Sequence, residues 1–155
     1  MEVTEQKKLS TTATSVFHYI SYLQYPLLLV AMYYVYRPYI FKTDTVWQDL
    51  NTGLIFLGIA ISFSSLQDTQ KTQNKFSKRI WESPIKGKVA LVIMTFMTFS
   101  FIVYGMFGLY FSRSEIVYEL SVGIIVLGIG FVGLLKVAIE MFENHRIDYR
   151  NELTD

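Results

Sequence analysis

The sequence predicts an all-α membrane protein: a four-helix transmembrane bundle of two hairpins joined by a basic cytoplasmic loop, both termini cytoplasmic. Three observations predict it. Hydrophobic residues make up 52% of the 155 and charged residues only 17%, with a mean hydropathy of +0.32. The charges gather at ends and connections, leaving four nearly uncharged runs, whereas a soluble domain spreads charge periodically along its helices. Between the second and third runs, Gln67 to Lys88 carries Lys71, Lys75, Lys78, Arg79, Lys86 and Lys88 against only Asp68 and Glu82.

The first run is Val16–Tyr36, VFHYISYLQYPLLLVAMYYVY. It is too long and too rich in tyrosine for the apolar core of a cleaved signal peptide. As a helix it spans about 31 Å, enough for the hydrocarbon core. Pro26 should bend it, because the ring removes a backbone donor. A short polar loop, Arg37 to Asp49, leads to the second run, Leu50–Leu66, which Val46 and Trp47 can extend by a turn. The third run is Val89–Phe111. A tight connection, Ser112–Glu119, leads to the fourth, Leu120–Leu135, whose helix should continue through Lys136, Glu140 and Glu143. The chain is thus read as one integral membrane domain with spans near 16–36, 50–66, 89–111 and 117–138, a loop over 67–88 and a tail over 139–155.

Orientation follows from the lysines and arginines flanking the runs. Residues 1–15, the 67–88 loop and residues 136–155 hold eleven, and the other side only Arg37, Lys42 and Arg113. The excess places the termini and the loop in the cytoplasm, and the protein in the plasma or cytoplasmic membrane. Tyr33, Tyr34, Tyr36, Tyr39, Trp47, Tyr110 and Tyr118 then gather at the outer interface, where amphipathic rings are favoured.

Lipid tails are as apolar as leucine, so helices in a bilayer associate through small residues and shared polar groups. At 100° per residue, Ala90, Thr98, Gly105, Gly108 and Ser112 share one arc of the third helix, with Phe96, Phe99, Phe107 and Phe111 on the far side. The second helix has two stripes, Gly53/Ala60/Ser64/Gln67 and Gly58/Ser62/Ser65/Thr69, which suits a central position. The fourth sets Gly123, Val126, Gly130, Gly133, Val137 and Glu140 on one face. Gly58, Gly105, Gly108, Gly123, Gly130 and Gly133 are therefore the expected packing glycines.

Few residues point to chemistry. Gly128-Ile-Gly130-Phe-Val-Gly133 matches the dinucleotide pattern G-x-G-x-x-G, but that pattern needs a strand, a turn and a helix N-terminus, and here it lies inside an apolar helix. Lys136 and Glu140 are ionisable near membrane depth and so candidate pathway groups, although their position past the last uncharged residue favours a snorkelling lysine and an interfacial carboxylate. Gln24, roughly 12 Å into the first helix, needs a partner there: Thr95, Thr98 or Ser62, or the water of a lined cavity. His18 lies nearer the interface. His18, Gln24, Thr98, Lys136 and Glu140 are the candidate intramembrane polar set.

In the loop, Phe76, Ile80, Trp81 and Ile85 fall largely on one side of a helix, with Lys75, Lys78 and Arg79 elsewhere. The spacing predicts a short amphipathic helix in the headgroup region, ended by Ser83-Pro84. Lys75, Phe76, Lys78, Arg79 and Trp81 form the expected lipid-surface set, each basic residue adding about 1 kcal/mol beside an anionic leaflet. The acidic tail after Glu140 would compete weakly for the same lysines, since exposed pairs contribute only about 0–1 kcal/mol.

The absence of cysteine excludes disulfides, thiolate metal sites and thiol nucleophiles. Two distant histidines do not make a metal site within one copy. No zinc-protease His-Glu-x-x-His, Ser/His/Asp set or pair of intramembrane aspartates occurs. The expectation is a small multi-pass protein of non-catalytic type, without cofactor or metal: an accessory, scaffolding or regulatory subunit of a membrane assembly. The alternative is a small oligomeric channel or transporter. Expected partners are the bilayer, its anionic head groups, and a second copy or a larger membrane complex. A net charge of +1 gives no argument for nucleic acid.

Overall fold

A computed structural model of the chain describes residues 16–41, 44–66 and 75–145, and among them every regular element is a helix. A helical segment at 16–21 leads into α1 (Gln24–Phe41), followed by α2 (Val46–Ser64), α3 (Lys75–Trp81), α4 (Pro84–Phe111) and α5 (Glu115–His145). Three of them, α2, α4 and α5, are long and apolar enough to cross a membrane. Taken alone, α1 falls short of that measure, because its 18 residues include five tyrosines, two prolines, Gln24 and Arg37.

Proline sets two of the boundaries. The first apolar run breaks at Tyr22-Leu23, where Tyr22, Leu23 and Tyr25 donate to carbonyls three residues back at 3.0–3.2 Å. Pro26 cannot donate, and its ring crowds the carbonyl four residues earlier, that of Tyr22. At Pro84 the same residue type begins a helix, since the first helical N–H has no partner to lose. Ser83 precedes it in extended backbone, as a residue before proline prefers, and its Oγ accepts from the Lys86 N–H at 3.5 Å. The third span therefore starts five residues before the position the hydropathy of the run suggests.

The polar loop expected from Arg37 to Asp49 is shorter than that. Helix α1 continues through the buried Pro38 to Phe41, and α2 already begins at Val46. Both ends of the supposed loop are helical because each charge has found the other. The Arg37 guanidinium donates to Asp49 at 2.8 Å, so neither charge drives its helix end into solvent.

The long helices pack in the order α1–α2–α5–α4, with no comparable contact between α1 and α4. Each hairpin is antiparallel, and the two meet through their second helices. Gly53 on α2 lies against Ala31 and Val35 of α1, and the Tyr34 and Phe56 rings stack at 5.8 Å. Across α4 and α5, Gly105 faces Ile125, Gly108 faces Ser121, and Gly128 faces Ile102. Between α2 and α5 the facing residues are Asn51 with Gly123, Gly58 with Val126 and Gly130, and Ser65 with Gly133. Their numbers rise together, so α2 and α5 run parallel.

This last contact admits no side chain. A Cβ on Gly58 would stand 2.5 Å from the Val126 carbonyl oxygen, and one on Gly130 would collide with the Gly58 carbonyl. On α4, Thr98, Gly105 and Gly108 are buried, while Phe96, Phe99, Phe107 and Phe111 are exposed. The small arc turns inward and the aromatic side outward, as a helix between protein and lipid requires.

Gly58→Ala should lower stability by about 1–3 kcal/mol, the cost of forcing atoms into a filled contact. Phe107→Leu on the exposed face should stay within about 0.5 kcal/mol. Thermal unfolding in detergent measures both, and equal melting temperatures for the two variants would contradict the contact.

Candidate functional site

A half-open pocket at the α3 end of the row is one candidate site. There α1, α2, α4 and α5 leave a cavity of about 430 Å³, floored by α3. Gln24, Tyr25 and Leu28 of α1 line it, with Ser64 at the end of α2, Ser77 and Trp81 of α3, and Met94 of α4. Leu134, Val137, Ala138 and Met141 of α5 complete the wall. The break at Tyr22-Leu23 puts Gln24 at the first position of α1, where it lines the cavity.

Gln24 is 7% exposed. Among the described residues its amide has no hydrogen-bond partner. The hydroxyls expected to meet it bond within their own helices instead. Ser62 donates to the Gly58 carbonyl at 3.0 Å, Thr95 to Leu91 at 2.8 Å and Thr98 to Met94 at 2.8 Å. A Ser or Thr side chain reaches the carbonyl three or four residues back without help from a neighbour, and in an apolar setting that local bond wins. Gln24 has too long a side chain for it, and the cavity is what its amide faces.

The other polar candidates lie apart from Gln24 and from one another. His18 precedes α1, its ring edge-on to Tyr22, with Nε2 3.5 Å from the Tyr22 hydroxyl and Nδ1 buried without a partner among the described residues. Thr98 sits midway along α4. Lys136 is 72% exposed on its side chain and pairs with Glu140 four residues on, at 2.8 Å. That pair stands on the outside of α5, so the glycine face does not carry Glu140 inward with it.

The loop set divides. Lys78 and Arg79 are exposed, and Lys78 pairs with Glu82 at 3.6 Å. The side chains of Lys75 and Phe76 lie outside the described residues, as do residues 67–74 and the tail from 146. Trp81 corrects the expectation of a lipid-facing ring: it is 9% exposed and packs on Ala138 and Phe142, with Ile80, Leu91, Met94 and Met141 around them. The reason is Gly87, whose missing side chain lets the Phe142 ring lie against α4 and make a wall for the indole. A large ring gains more from such a pocket than from a half-polar interface.

At the opposite end, a group of polar contacts ties the helices together. Asp49, only 3% exposed, accepts from Arg37 at 2.8 Å and from the Thr45 hydroxyl at 2.9 Å. Gln48 donates to Glu119 at 3.0 Å, and the Asn51 side-chain oxygen accepts from the Gly123 N–H at 2.7 Å. Asp49 and Asn51 are structural groups that the hydropathy reading passes over. The available signal was Arg37 and Asp49, opposite charges flanking one short connection, with Thr45 one helical turn before the aspartate. Among the described residues no group of three or more potential ligands is placed to hold a metal ion.

The chain matches no protein-family model, no curated protein and no solved structure.

Removing Arg37 leaves a buried carboxylate with only Thr45, so Arg37→Ala should cost about 1.5–3 kcal/mol, the range for a hydrogen bond to a charged group. Adding Asp49→Asn should recover part of that loss. For Lys136→Met and Glu140→Gln the expected cost is about 0–1 kcal/mol. Double-mutant cycles on thermal unfolding read both pairs, and a larger coupling at 136/140 would contradict the assignment.

Proposed function

We propose that this chain is a four-span integral membrane protein that works without catalysis, as an accessory, scaffolding or regulatory subunit of a membrane assembly. In this reading the 16–36 run, leading into α1, supplies the fourth span. The two hairpins form one bundle in the plasma or cytoplasmic membrane, with the α3 end and both termini cytoplasmic, as the eleven-to-three distribution of basic residues favours.

The observation that carries the proposal is how the inward polar side chains are engaged. Ser62, Ser64, Ser65, Thr98 and Ser121 each donate to a carbonyl of their own helix. Asp49 and Asn51 bind neighbouring helices together. Such groups hold helices in place and leave little free to act on a substrate. The outward surfaces are broad and apolar, with Tyr33, Tyr36 and Tyr39 exposed on α1 and Phe96, Phe99 and Phe107 on α4. Helix faces, and the exposed Lys78 and Arg79 beside anionic head groups, are then what the protein offers a partner subunit or a second copy. A small oligomeric channel or transporter is the second reading, and the observation favouring it is the buried Gln24 on a half-open cavity at the α3 end.

Purification in mild detergent separates the two readings. A stoichiometric partner with no ion or solute flux in proteoliposomes is expected; flux by the chain alone would replace the first reading with the second. The cysteine-free background also allows the topology to be read directly. A cysteine replacing Lys78 should react with an impermeant maleimide only after the membrane is opened, and one replacing Ser114 should react in intact cells. Reaction of both from outside would overturn the orientation.

A further inference from the structure

We infer that the first turns of α4 are a contact site for an anionic phospholipid, with Lys86 and Lys88 meeting headgroup phosphate and the apolar columns in line with them lying along the acyl chains. The inference rests on the membrane placement proposed above. It moves the expected lipid contact from α3, whose Trp81 faces inward, to the start of α4.

Helix position decides which side chains can reach lipid. Gly87 lies against the Phe142 ring of α5, so its direction marks the inward side of α4 at this end. Two residues earlier, Ile85 points to nearly the opposite side and is 76% exposed. Lys86 and Lys88 each stand about 100° from Gly87, one on either flank of the outward arc. Both are exposed. Each also heads a column of exposed side chains within about 40° of its own direction. Lys88 is in line with Val92, Phe99 and Met106, and Lys86 with Ile93, Met97 and Tyr104. The two charges therefore end the same surface that α4 turns to the bilayer.

Depth agrees with direction. A helix of 28 residues is about 42 Å long, which matches a bilayer with its headgroups at about 40–45 Å. The uncharged part, Val89–Phe111, covers the hydrocarbon core. Lys86 and Lys88 then lie in the headgroup layer.

Charge selects the lipid. Lys78 is paired with Glu82 and Lys136 with Glu140, whereas neither Lys86 nor Lys88 is in an ion pair among the described residues. Contact with acyl chains is common to all phospholipids, so discrimination comes from these two lysines. A phosphatidylcholine phosphate carries its own cation and gains little from them; a headgroup of net negative charge gains more. A soluble acidic segment would meet the same charges but would leave Ile85 beside them in water.

The absence of cysteine allows a single-site test. Full-length protein labelled with bimane at Val92→Cys, one turn inside Lys88, is reconstituted in phosphatidylcholine vesicles. Rising fractions of phosphatidylglycerol, or of phosphatidylcholine, carry a nitroxide quencher near the start of the acyl chain. Phosphatidylglycerol should reach half-maximal quenching at a fraction about fivefold lower than phosphatidylcholine, the factor for one lysine contact with an anionic lipid. Lys86→Gln with Lys88→Gln should bring the two midpoints together, and Lys86→Arg with Lys88→Arg should keep them apart. Equal midpoints in the unsubstituted background overturn the site and are the outcome expected if the lysines serve a soluble acidic partner. A preference that survives both glutamine substitutions also overturns it. Bimane at Phe107→Cys, toward the other end of α4, reports the membrane reading separately: quenching at neither position by either lipid overturns the membrane placement itself.

Discussion

The contact of Gly58 with Gly130 is the constraint on which the rest of the structure depends. Helix α1 is held by α2, and α4 by α5, each within its own antiparallel hairpin. The hairpins meet through α2 and α5, where two backbones approach so closely that neither position admits a Cβ. Apolar side chains gain nothing by leaving lipid for protein, so a membrane interface must win by contact density and backbone proximity. Gly123 against Asn51 and Gly133 against Ser65 extend the same seam toward its two ends. The angle and depth of this seam set the distance from α1 to α5, and therefore the width of the cavity at the α3 end.

The two ends of the helical row solve the problem of polarity differently. At the end away from α3, side chains bond across helices: Arg37 to Asp49, Gln48 to Glu119, Asn51 to the Gly123 backbone. These contacts fix the register of α1, α2 and α5 where the connections are short. In the middle, hydroxyls return to their own helices and leave the interfaces to glycine and alanine. At the α3 end an indole and a phenyl ring, Trp81 and Phe142, close the base. Gln24 and the buried Nδ1 of His18 are polar groups that none of these arrangements includes.

The parts of this fold that were legible in the sequence are those set by period and composition. The all-helical class, the inward arc of Thr98, Gly105 and Gly108 and the outward phenylalanines follow from 100° spacing applied to uncharged runs. A glycine inside an apolar helix needs a close neighbour to justify its lower helix propensity, yet the glycines singled out by spacing leave out Gly87, which lies against the Phe142 ring. What was not legible depends on partners distant in sequence. Trp81 looked interfacial beside Lys78 and Arg79, and only the Gly87–Phe142 contact, more than fifty residues apart, makes it a core residue. Arg37 and Asp49 looked like loop charges until paired. Gln24 was recognisable as a polar group needing a partner, but a hydroxyl's preference for its own helix decides that Ser62, Thr95 and Thr98 do not provide one.

The central claim, that two hairpins are joined along a parallel α2–α5 seam, is tested most directly by a disulfide. A Cβ on Gly133 would lie 3.2 Å from that of Ser65, close to the 3.5–4.5 Å that a disulfide spans. With Ser65→Cys and Gly133→Cys in the otherwise cysteine-free chain, mild oxidation in native membranes should join the two helices within one molecule, detectable as a cross-linked peptide pair by mass spectrometry. Absence of that pair, with Ser65→Cys cross-linking instead to a cysteine placed at the same depth on the exposed face of α4, at Phe96, would contradict the seam and the packing order built on it.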